Sequence, residues 1–258
     1  MHGSAKGSVS SATQGWDGDD GPCLAVEDGN NDNGTRALKR YLRKVDFRIV
    51  LYCAIGYVLC MMDRTNIGNG LDTDLKLSDT VYSLALSIFY VGYLLMQLCT
   101  NIVLKTLGPS KWIPFMGTAW GTVCACLAAT KNGGGLVAAR FFLGLFEAGI
   151  TPGVVYMISF WYPRDMAARR MSAFFMSAAA ATVISGPLAA GLTSISTDKV
   201  KGWQWLFIIE GLITVLWGIS GLFILKDYPE KARFLRDDER AVIEKVLVAE
   251  HNLASHAR

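Results

Sequence analysis

Histidine is scarce in this chain, and the few cysteines form no pattern that binds metal. The three histidines, His2, His251 and His256, lie near the two termini. Most of the six cysteines fall inside apolar segments, and Cys124 and Cys126 are too close on a helix to act as an i, i+4 ligand pair. The sequence therefore favours neither a metal site nor a disulfide framework.

Motifs of the common enzyme classes are missing as well. The chain has no nucleophile and base motif, no phosphate-binding Gly-Lys-Ser/Thr loop and no dinucleotide fingerprint. It also lacks a basic patch interleaved with aromatic residues, the usual sign of nucleic-acid binding. We therefore expect a protein that is not an enzyme and uses no cofactor.

Charged residues are few, at 18% of the chain, whereas 52% of residues are hydrophobic and the mean hydropathy is +0.31. The apolar residues fall into blocks near the length that crosses a bilayer, roughly 20 residues. They predict an all-α membrane protein with six transmembrane helices, near residues 47–69, 79–104, 112–130, 134–160, 169–193 and 203–225.

Two more polar segments flank this transmembrane domain of residues 47–225. Residues 1–46 are rich in Gly, Ser, Asp and Asn, which predicts a disordered segment. They show no signal-peptide pattern, so the first span is expected to direct insertion. Residues 226–258 are expected to start a cytoplasmic loop with an amphipathic helix, whose apolar face would contain Phe234, Leu235, Val242, Ile243, Val246 and Leu247.

Lysine and arginine are distributed unevenly over the ends of the predicted spans. They concentrate before the first span, after the second, before the fifth and after the sixth, and they are sparse on the other side. Cytoplasmic loops retain positive charge. The distribution therefore predicts that both termini face the cytosol.

Two ionisable residues, Arg140 and Glu147, lie inside the otherwise apolar fourth span. Their separation is close to two helical turns, so both should project from one face. A charge at bilayer depth costs about 2.5–3.5 kcal/mol on insertion scales, and such residues usually face a bundle interior or a water-filled path. The pair indicates a polytopic transporter, although a structural pair that packs helices would give the same pattern.

The first span also has a polar end. Its apolar run, residues 47–62, is about 24 Å long at 1.5 Å per residue, which is short of the roughly 30 Å hydrocarbon core. Asp63, Arg64, Thr65 and Asn66 would complete the span, and Arg64 would then share a cavity with Arg140. The alternative is a helix that ends at residue 62, with Asp63 and Arg64 at the membrane interface.

The chemistry of these side chains suggests what is carried. A guanidinium group stays charged and presents a fork of donors that matches a carboxylate, so Arg64 and Arg140 favour an anionic substrate. An apolar environment favours the protonated form of a carboxylate, so Glu147 is a candidate to bind and release a proton. Proton cotransport would also offset the cost of moving an anion inward against the membrane potential.

Several motifs resemble one transporter family. Residues 140–149, with Pro152 and Gly153, resemble the fourth-helix signature of the major facilitator superfamily. Residues 63–69 resemble the first-helix signature of its anion:cation symporter family, in particular the fungal allantoate and nicotinate permease branch. Further matches are residues 107–112, 202–211 and 227–235. The set is specific, although each motif alone would be weak.

The resemblance implies one half of a major facilitator fold, in which two inverted three-helix repeats place the first and fourth helices beside the substrate cavity. It implies proton-coupled uptake of a small organic anion by alternating access, in the plasma membrane. Arg64, Arg140 and Asn66 would bind the substrate, and Glu147 and Asp63 would carry the proton.

The resemblance also implies a cytoplasmic gating loop, made of Lys105, Gly108, Lys111, Arg169 and Arg170. Lys105 stands where the superfamily has an acidic residue, so the general charge lock of that gate does not transfer. Gln97, Cys99 and Gln204 are further departures from the branch, and they affect what can be inferred about gating and coupling.

The chain supplies one six-helix half, whereas superfamily transporters hold substrate between two. Half a cavity cannot alternate access alone, so we interpret the chain as a truncated half of a symporter. It could otherwise pair with another copy or with a separate second half. The alternative function is an inactive or regulatory half-transporter that pairs with a full-length relative. The sequence selects no particular anion.

Overall fold

The chain is almost entirely helical where its structure is described. The computed structural model describes residues 31–68, 77–194, 200–227, 232 and 234–256. Within these ranges it contains α-helices and no β-strand. The helices are α1 (Asn31–Val45), α2 (Leu51–Thr65), α3 (Asp79–Leu107), α4 (Pro109–Leu127), α5 (Gly133–Glu147), α6 (Ile150–Trp161), α7 (Arg164–Thr193), α8 (Gly202–Ile224) and α9 (Asp237–His256).

Two of the predicted spans are not single regular α-helices. A π-helical segment, Asp46–Val50, joins α1 to α2, and a short break at Ala148 and Gly149 separates α5 from α6. Among the described residues, five continuous helices are long and apolar enough to cross a bilayer: Gly34–Thr65, Asp79–Leu107, Gly133–Trp161, Met166–Thr193 and Gly202–Ile224.

The remaining predicted span corresponds to α4, a helix of 19 residues. It packs against α5 and α8, and it has buried residues from Pro109 to Leu127. The predicted all-α membrane fold is confirmed.

The pairing of the helices has an internal symmetry. The first pass (α1–α2) packs against the fifth (α7), the second (α3) against the fourth (α5–α6), and the third (α4) against the sixth (α8). Suppose that passes one, two and three are exchanged with passes four, five and six, respectively. The pair of passes one and five then becomes the pair of passes four and two, and the pair of passes three and six stays the same. Two three-helix repeats related by a pseudo-two-fold axis require this pattern.

Glycines allow the two closest helix pairs to approach. A Cβ atom on Gly144 of α5 would lie 2.1 Å from the Phe89 carbonyl oxygen of α3, and one on Gly211 of α8 would lie 2.5 Å from the Ala125 amide nitrogen of α4. Small residues at membrane helix interfaces let backbones pack closely. These contacts hold α5 and α8 against the helices beside them.

The prediction that residues 1–46 are disordered is wrong for residues 31–45, which form α1. Residues 1–30 lie outside the described part of the chain. This helix is polar on average, but it has an apolar stripe at helical spacing. The buried residues of the stripe are Ala37, Leu38, Tyr41 and Val45. The Tyr41 hydroxyl donates a hydrogen bond to the Trp161 carbonyl oxygen at 2.8 Å.

The tail contains a further helix, α9, which packs against α1. Lys44 Nζ lies 2.8 Å from Glu239 Oε2, and Arg40 Nη2 lies 2.9 Å from Asp238 Oδ2. Apolar residues that were expected to form one face are buried or packed against the core: Phe234, Leu235, Val242, Ile243, Val246 and Leu247.

Candidate functional site

The end of α2 carries polar side chains into the interior of the bundle. The helix continues to Thr65, so the alternative interpretation of a helix that ends at residue 62 is wrong. Cys60 and Arg64 are four residues apart and both contact α5, whereas Asp63 and Asn66 are three apart and contact α4 and α8. The first pass therefore presents polar groups to two sides of the interior.

Arg64 forms an ion pair with Glu147 of α5. Its Nη2 and Nε atoms lie 2.6 and 2.7 Å from Glu147 Oε1, and the Cys60 thiol donates to the same oxygen at 2.7 Å. Glu147 is fully buried, while the Arg64 side chain is 26% exposed. The Arg64 guanidinium also lies over the rings of Phe89 and Tyr93, at 5.4 and 5.1 Å from their centroids.

Arg140 lies two turns before Glu147 on α5 but has different neighbours. It is 2% exposed, and its guanidinium carbon lies 5.9 Å from the centroid of the Phe207 ring on α8. Its Nε and Nη2 atoms are buried without hydrogen-bond partners. Arg140 is thus a buried cation with free donors, and it interacts electrostatically with Asp63 and Glu210.

Asp63 and Glu210 form a second group between α2 and α8. The Trp120 indole donates to Asp63 Oδ2 at 2.8 Å, and the Asn66 amide donates to Glu210 Oε2 at 2.8 Å. One ligand-type atom from each of Asp63, Glu210 and Cys124 lies within 4.8 Å of the other two. The sequence argued against a metal site, whereas the structure brings together three groups that can bind a cation, beside the positive charge of Arg140.

The structure brings the five transport residues proposed from the sequence into one interior. Arg64 contacts Glu147, Arg140 lies near Asp63, and Asn66 is bonded to Glu210. Arg64 and Arg140 are not hydrogen-bonded to a common side chain among the described residues, although both interact electrostatically with Asp63. Arg64 is held by a carboxylate, and Arg140 keeps unpartnered donors.

Sequence reasoning missed Glu210 as a site residue, and it also missed Trp120 and Cys60. Glu210 is 3% exposed within α8, which is otherwise apolar from Leu206 to Ile224 apart from small and hydroxyl residues. This is the same signal that identified Glu147, a lone carboxylate inside a membrane span. Nothing in the sequence distinguished Trp120 and Cys60 from packing residues.

The residues expected in the gating loop lie at one end of the bundle, but their contacts differ. Arg170 forms an ion pair with Asp46, with Nε 3.0 Å from Oδ1, and Tyr162 donates to the same oxygen at 2.5 Å. Gly108 has a φ angle of 79°, which L-residues rarely adopt. The other members of the expected set, Lys105, Lys111 and Arg169, have exposed side chains.

Comparison with protein families settles the classification. The Major Facilitator Superfamily matches residues 53–255 of the chain. The chain belongs to the Major Facilitator Superfamily. This superfamily member is therefore an integral, multi-pass membrane protein, and its relatives are named as transporters.

Several curated proteins resemble this superfamily half. A protein of Agrobacterium vitis named "Putative tartrate transporter" is 35% identical over 241 residues, which cover 91% of this chain and 53% of that protein. "Major facilitator-type transporter hxnP" of Emericella nidulans is 36% identical over 214 residues, covering 80% of this chain and 43% of that protein. The chain spans about half the length of the curated relatives it matches.

Among solved structures, a bacterial homologue of the human lysosomal transporter Spinster, in an inward-facing and unoccupied conformation, has a TM-score of 0.63. It is 20% identical, and the match covers 71% of this chain and 44% of that one. At this identity the likeness concerns the fold alone, and it agrees with half of a superfamily fold.

Proposed function

We propose that this chain is one half of a proton-coupled symporter for a small organic anion, of the anion:cation symporter type. The observation that carries the proposal is Arg140, a guanidinium that is 2% exposed and has two unpartnered donors inside the bundle. A buried guanidinium whose donors are unsatisfied is costly, and a substrate carboxylate that accepts those hydrogen bonds would offset that cost. The name of the Agrobacterium vitis relative, which refers to tartrate, supports a carboxylate substrate.

The Arg64–Glu147 ion pair provides a route to coupling. While Glu147 is ionised it occupies the donors of Arg64, with two contacts of 2.6 and 2.7 Å. A proton on Glu147 removes the negative charge that holds Arg64, so that the guanidinium becomes available to a substrate carboxylate. Proton and anion would then bind together, which is what symport requires.

Symport with a proton also removes the electrical work of moving an anion into a negatively charged interior. Moving one elementary charge across the membrane potential involves about 2.3 kcal/mol per 100 mV. A monoanion carried with one proton is electrically neutral, so the negative interior no longer opposes uptake. The clustering of Lys and Arg supports both termini in the cytosol, and we propose the plasma membrane as the location.

The second half of the cavity would come from a complementary six-helix unit, in the same polypeptide or a separate one. Transport is therefore best measured in the complete transporter that carries this chain. If the chain instead associates with a full-length relative and supports no transport in any pairing, a regulatory role is the correct interpretation.

Uptake of radiolabelled tartrate, allantoate or nicotinate into proteoliposomes, with and without an inward proton gradient, tests the proposal. We expect gradient-dependent accumulation of at least one of these anions. Glu147→Gln should abolish the gradient dependence while permitting exchange of the anion, and Arg140→Gln should abolish binding. Glu244→Gln, an exposed residue of α9, is the matched control. Accumulation that ignores both the gradient and Glu147→Gln would refute proton coupling.

A further inference from the structure

Two buried carboxylates, Asp63 of α2 and Glu210 of α8, lie together in the bundle interior. They are 0% and 3% exposed, and a ligand-type oxygen of each lies within 4.8 Å of the other. Two ionised carboxylates this close in a site without water repel each other strongly, because the low dielectric hardly screens their charges. Arg140 faces the pair and can balance one of the two negative charges, so the close approach requires a further positive charge, such as a proton, to neutralise the other.

The hydrogen bonds of the pair leave one oxygen of each carboxylate without a partner. Trp120 donates to Asp63 Oδ2 and Asn66 donates to Glu210 Oε2, each at 2.8 Å. Asp63 Oδ1 and Glu210 Oε1 are buried and accept no N–H or O–H hydrogen bond, and the Cys124 thiol, a weak donor, lies beside Asp63. Unsatisfied buried oxygens are rare in native proteins, and a proton bound by one of the two carboxyl groups would turn one charged acceptor into a neutral O–H group.

The charges of the interior lead to the same conclusion. Among the described residues, the interior contains three carboxylates, Asp63, Glu147 and Glu210, against two guanidinium groups, Arg64 and Arg140. If every group were ionised, one negative charge would be left uncompensated at membrane depth. Because Glu147 already accepts three donors on one oxygen, including two of the three guanidinium nitrogens of Arg64, the excess charge belongs to the Asp63 and Glu210 pair.

We propose that Asp63 and Glu210 together carry a single proton, forming a proton site distinct from the Arg64–Glu147 ion pair. The groups that face this site are Arg140 from α5, Cys124 and Trp120 from α4, and Asn66 from the turn after α2. Arg64 and Glu147 act on it from further away through their charges. Glu210 thereby becomes a proton-site residue that neither the motifs nor the relatives assign.

The role of this site in transport rests on the proposed function, because a second proton site matters only if protons are coupled to substrate. The presence of the shared proton does not depend on transport. Asp63 belongs to the first pass and Glu210 to the sixth, so the proton would remove the charge repulsion between two helices. Loss of the proton would leave adjacent negative charges and favour their separation.

Infrared spectroscopy of the purified transporter in lipid tests the proposal without requiring activity. A protonated carboxyl group has a C=O stretching band that an ionised one lacks, and deuteration shifts that band. We expect the wild type to show this band at neutral pH in both sodium-containing and sodium-free buffer. Asp63→Asn and Glu210→Gln should each remove it, because the remaining carboxylate ionises once its neighbour is neutral. Asp79→Asn, at an exposed position on α3, should leave it unchanged.

Each other outcome overturns the proposal. A band that survives in either single variant means that one residue alone holds the proton. A band that appears only when sodium is removed means that the pair binds the metal ion instead, and absence of a band in the wild type means that the pair is fully ionised. The infrared result is independent of anion uptake, so a failure of the proposed function is recognised separately, as loss of gradient-dependent accumulation.

Discussion

The guanidinium group of Arg64 reaches one oxygen of Glu147 with two of its nitrogens, Nη2 at 2.6 Å and Nε at 2.7 Å. The other oxygen, Oε2, is buried without a partner. The ion pair therefore ties the first pass to the fourth through a single atom. A contact of this kind is strong while both groups are charged and is lost when either is neutral.

Removal of Arg64 should destabilise the protein more than removal of the whole pair. Arg64→Met leaves Glu147 buried without its counter-ion, which costs about 1–3 kcal/mol for an unsatisfied buried group and more if the charge persists. Arg64→Met combined with Glu147→Gln replaces the ion pair by neutral groups of similar size, and most of the stability should return. Chemical unfolding of the detergent-solubilised protein measures both effects. Equal losses in the single and double variants would show that the uncompensated Glu147 is not what destabilises Arg64→Met.

The contact between α3 and α5 should depend on the absence of a side chain at Gly144. A Cβ atom there would lie 2.1 Å from the carbonyl oxygen of Phe89, a backbone atom that cannot move without shifting α3. We expect Gly144→Ala to cost about 1–3 kcal/mol, the usual range for overpacking, and to lower the thermal unfolding midpoint. Gly186→Ala on α7 is the control, because nothing lies within 4 Å of its Cβ position. Similar midpoints for the two variants would contradict the close approach of these helices.

Sequence reasoning identified those site residues whose charge stands alone in an apolar run. Asp63, Arg64, Arg140 and Glu147 all lie inside the bundle, since the cost of a charge in lipid depends only on composition and depth. Their partners could not be predicted, because pairing depends on how each helix is rotated against its neighbours. Arg140 and Glu147 share a helix, yet Glu147 pairs with Arg64.

The fold was predictable to a similar extent. The membrane helices follow from blocks of apolar residues, whose lengths are set by the bilayer. The helix α1 was missed because its average polarity is high, although its apolar residues recur at helical spacing and are buried. The contact between α1 and α9 joins distant parts of the chain, since Arg40 and Asp238 are 198 positions apart. Local sequence patterns contain no information about such pairings.

The turn between α3 and α4 should require glycine at position 108. Gly108 has a φ angle of 79° and a ψ angle of 152°, and a Cβ atom there would lie 2.6 Å from Asp227 Oδ1. That oxygen accepts a hydrogen bond from the Ser110 amide at 2.8 Å, which connects the turn to the segment after α8. Gly108→Ala should cost about 1–3 kcal/mol in backbone strain, and it should displace Asp227.

Unfolding of Gly108→Ala, compared with Gly134→Ala, measures this requirement. Gly134 has nothing within 4 Å of its Cβ position, so the second variant reports the general effect of an added methyl group. Adding Asp227→Ala to Gly108→Ala should remove the steric conflict and restore part of the lost stability. The strain of the φ angle should remain. If Gly108→Ala is as stable as Gly134→Ala, the turn does not have the φ angle of 79° described for Gly108.

Packing of α9 against α1 should weaken in acid because of Glu239. Burial alone would raise the pKa of this carboxyl group, but hydrogen bonds from Lys44 and from the Arg236 amide more than offset it, so the pKa is lowered from its ordinary value. A group whose pKa is lower in the folded state stabilises that state at pH values above its unfolded pKa, about 4.3 for glutamate. The stabilisation is lost as the pH falls through the folded pKa.

Amide hydrogen exchange of α9, corrected for the intrinsic effect of pH, measures this loss. We expect protection of α9 to be constant above about pH 5 and to fall below about pH 4, near and below the unfolded pKa of glutamate. In Glu239→Gln the protection should be lower at neutral pH and independent of acid, since no charge remains to be titrated against Lys44. Glu244→Gln removes an exposed carboxylate from the same helix and should behave like the wild type. Acid sensitivity that persists in Glu239→Gln would assign the effect to another carboxylate of α9, for which Asp238, opposite Arg40, is the next candidate.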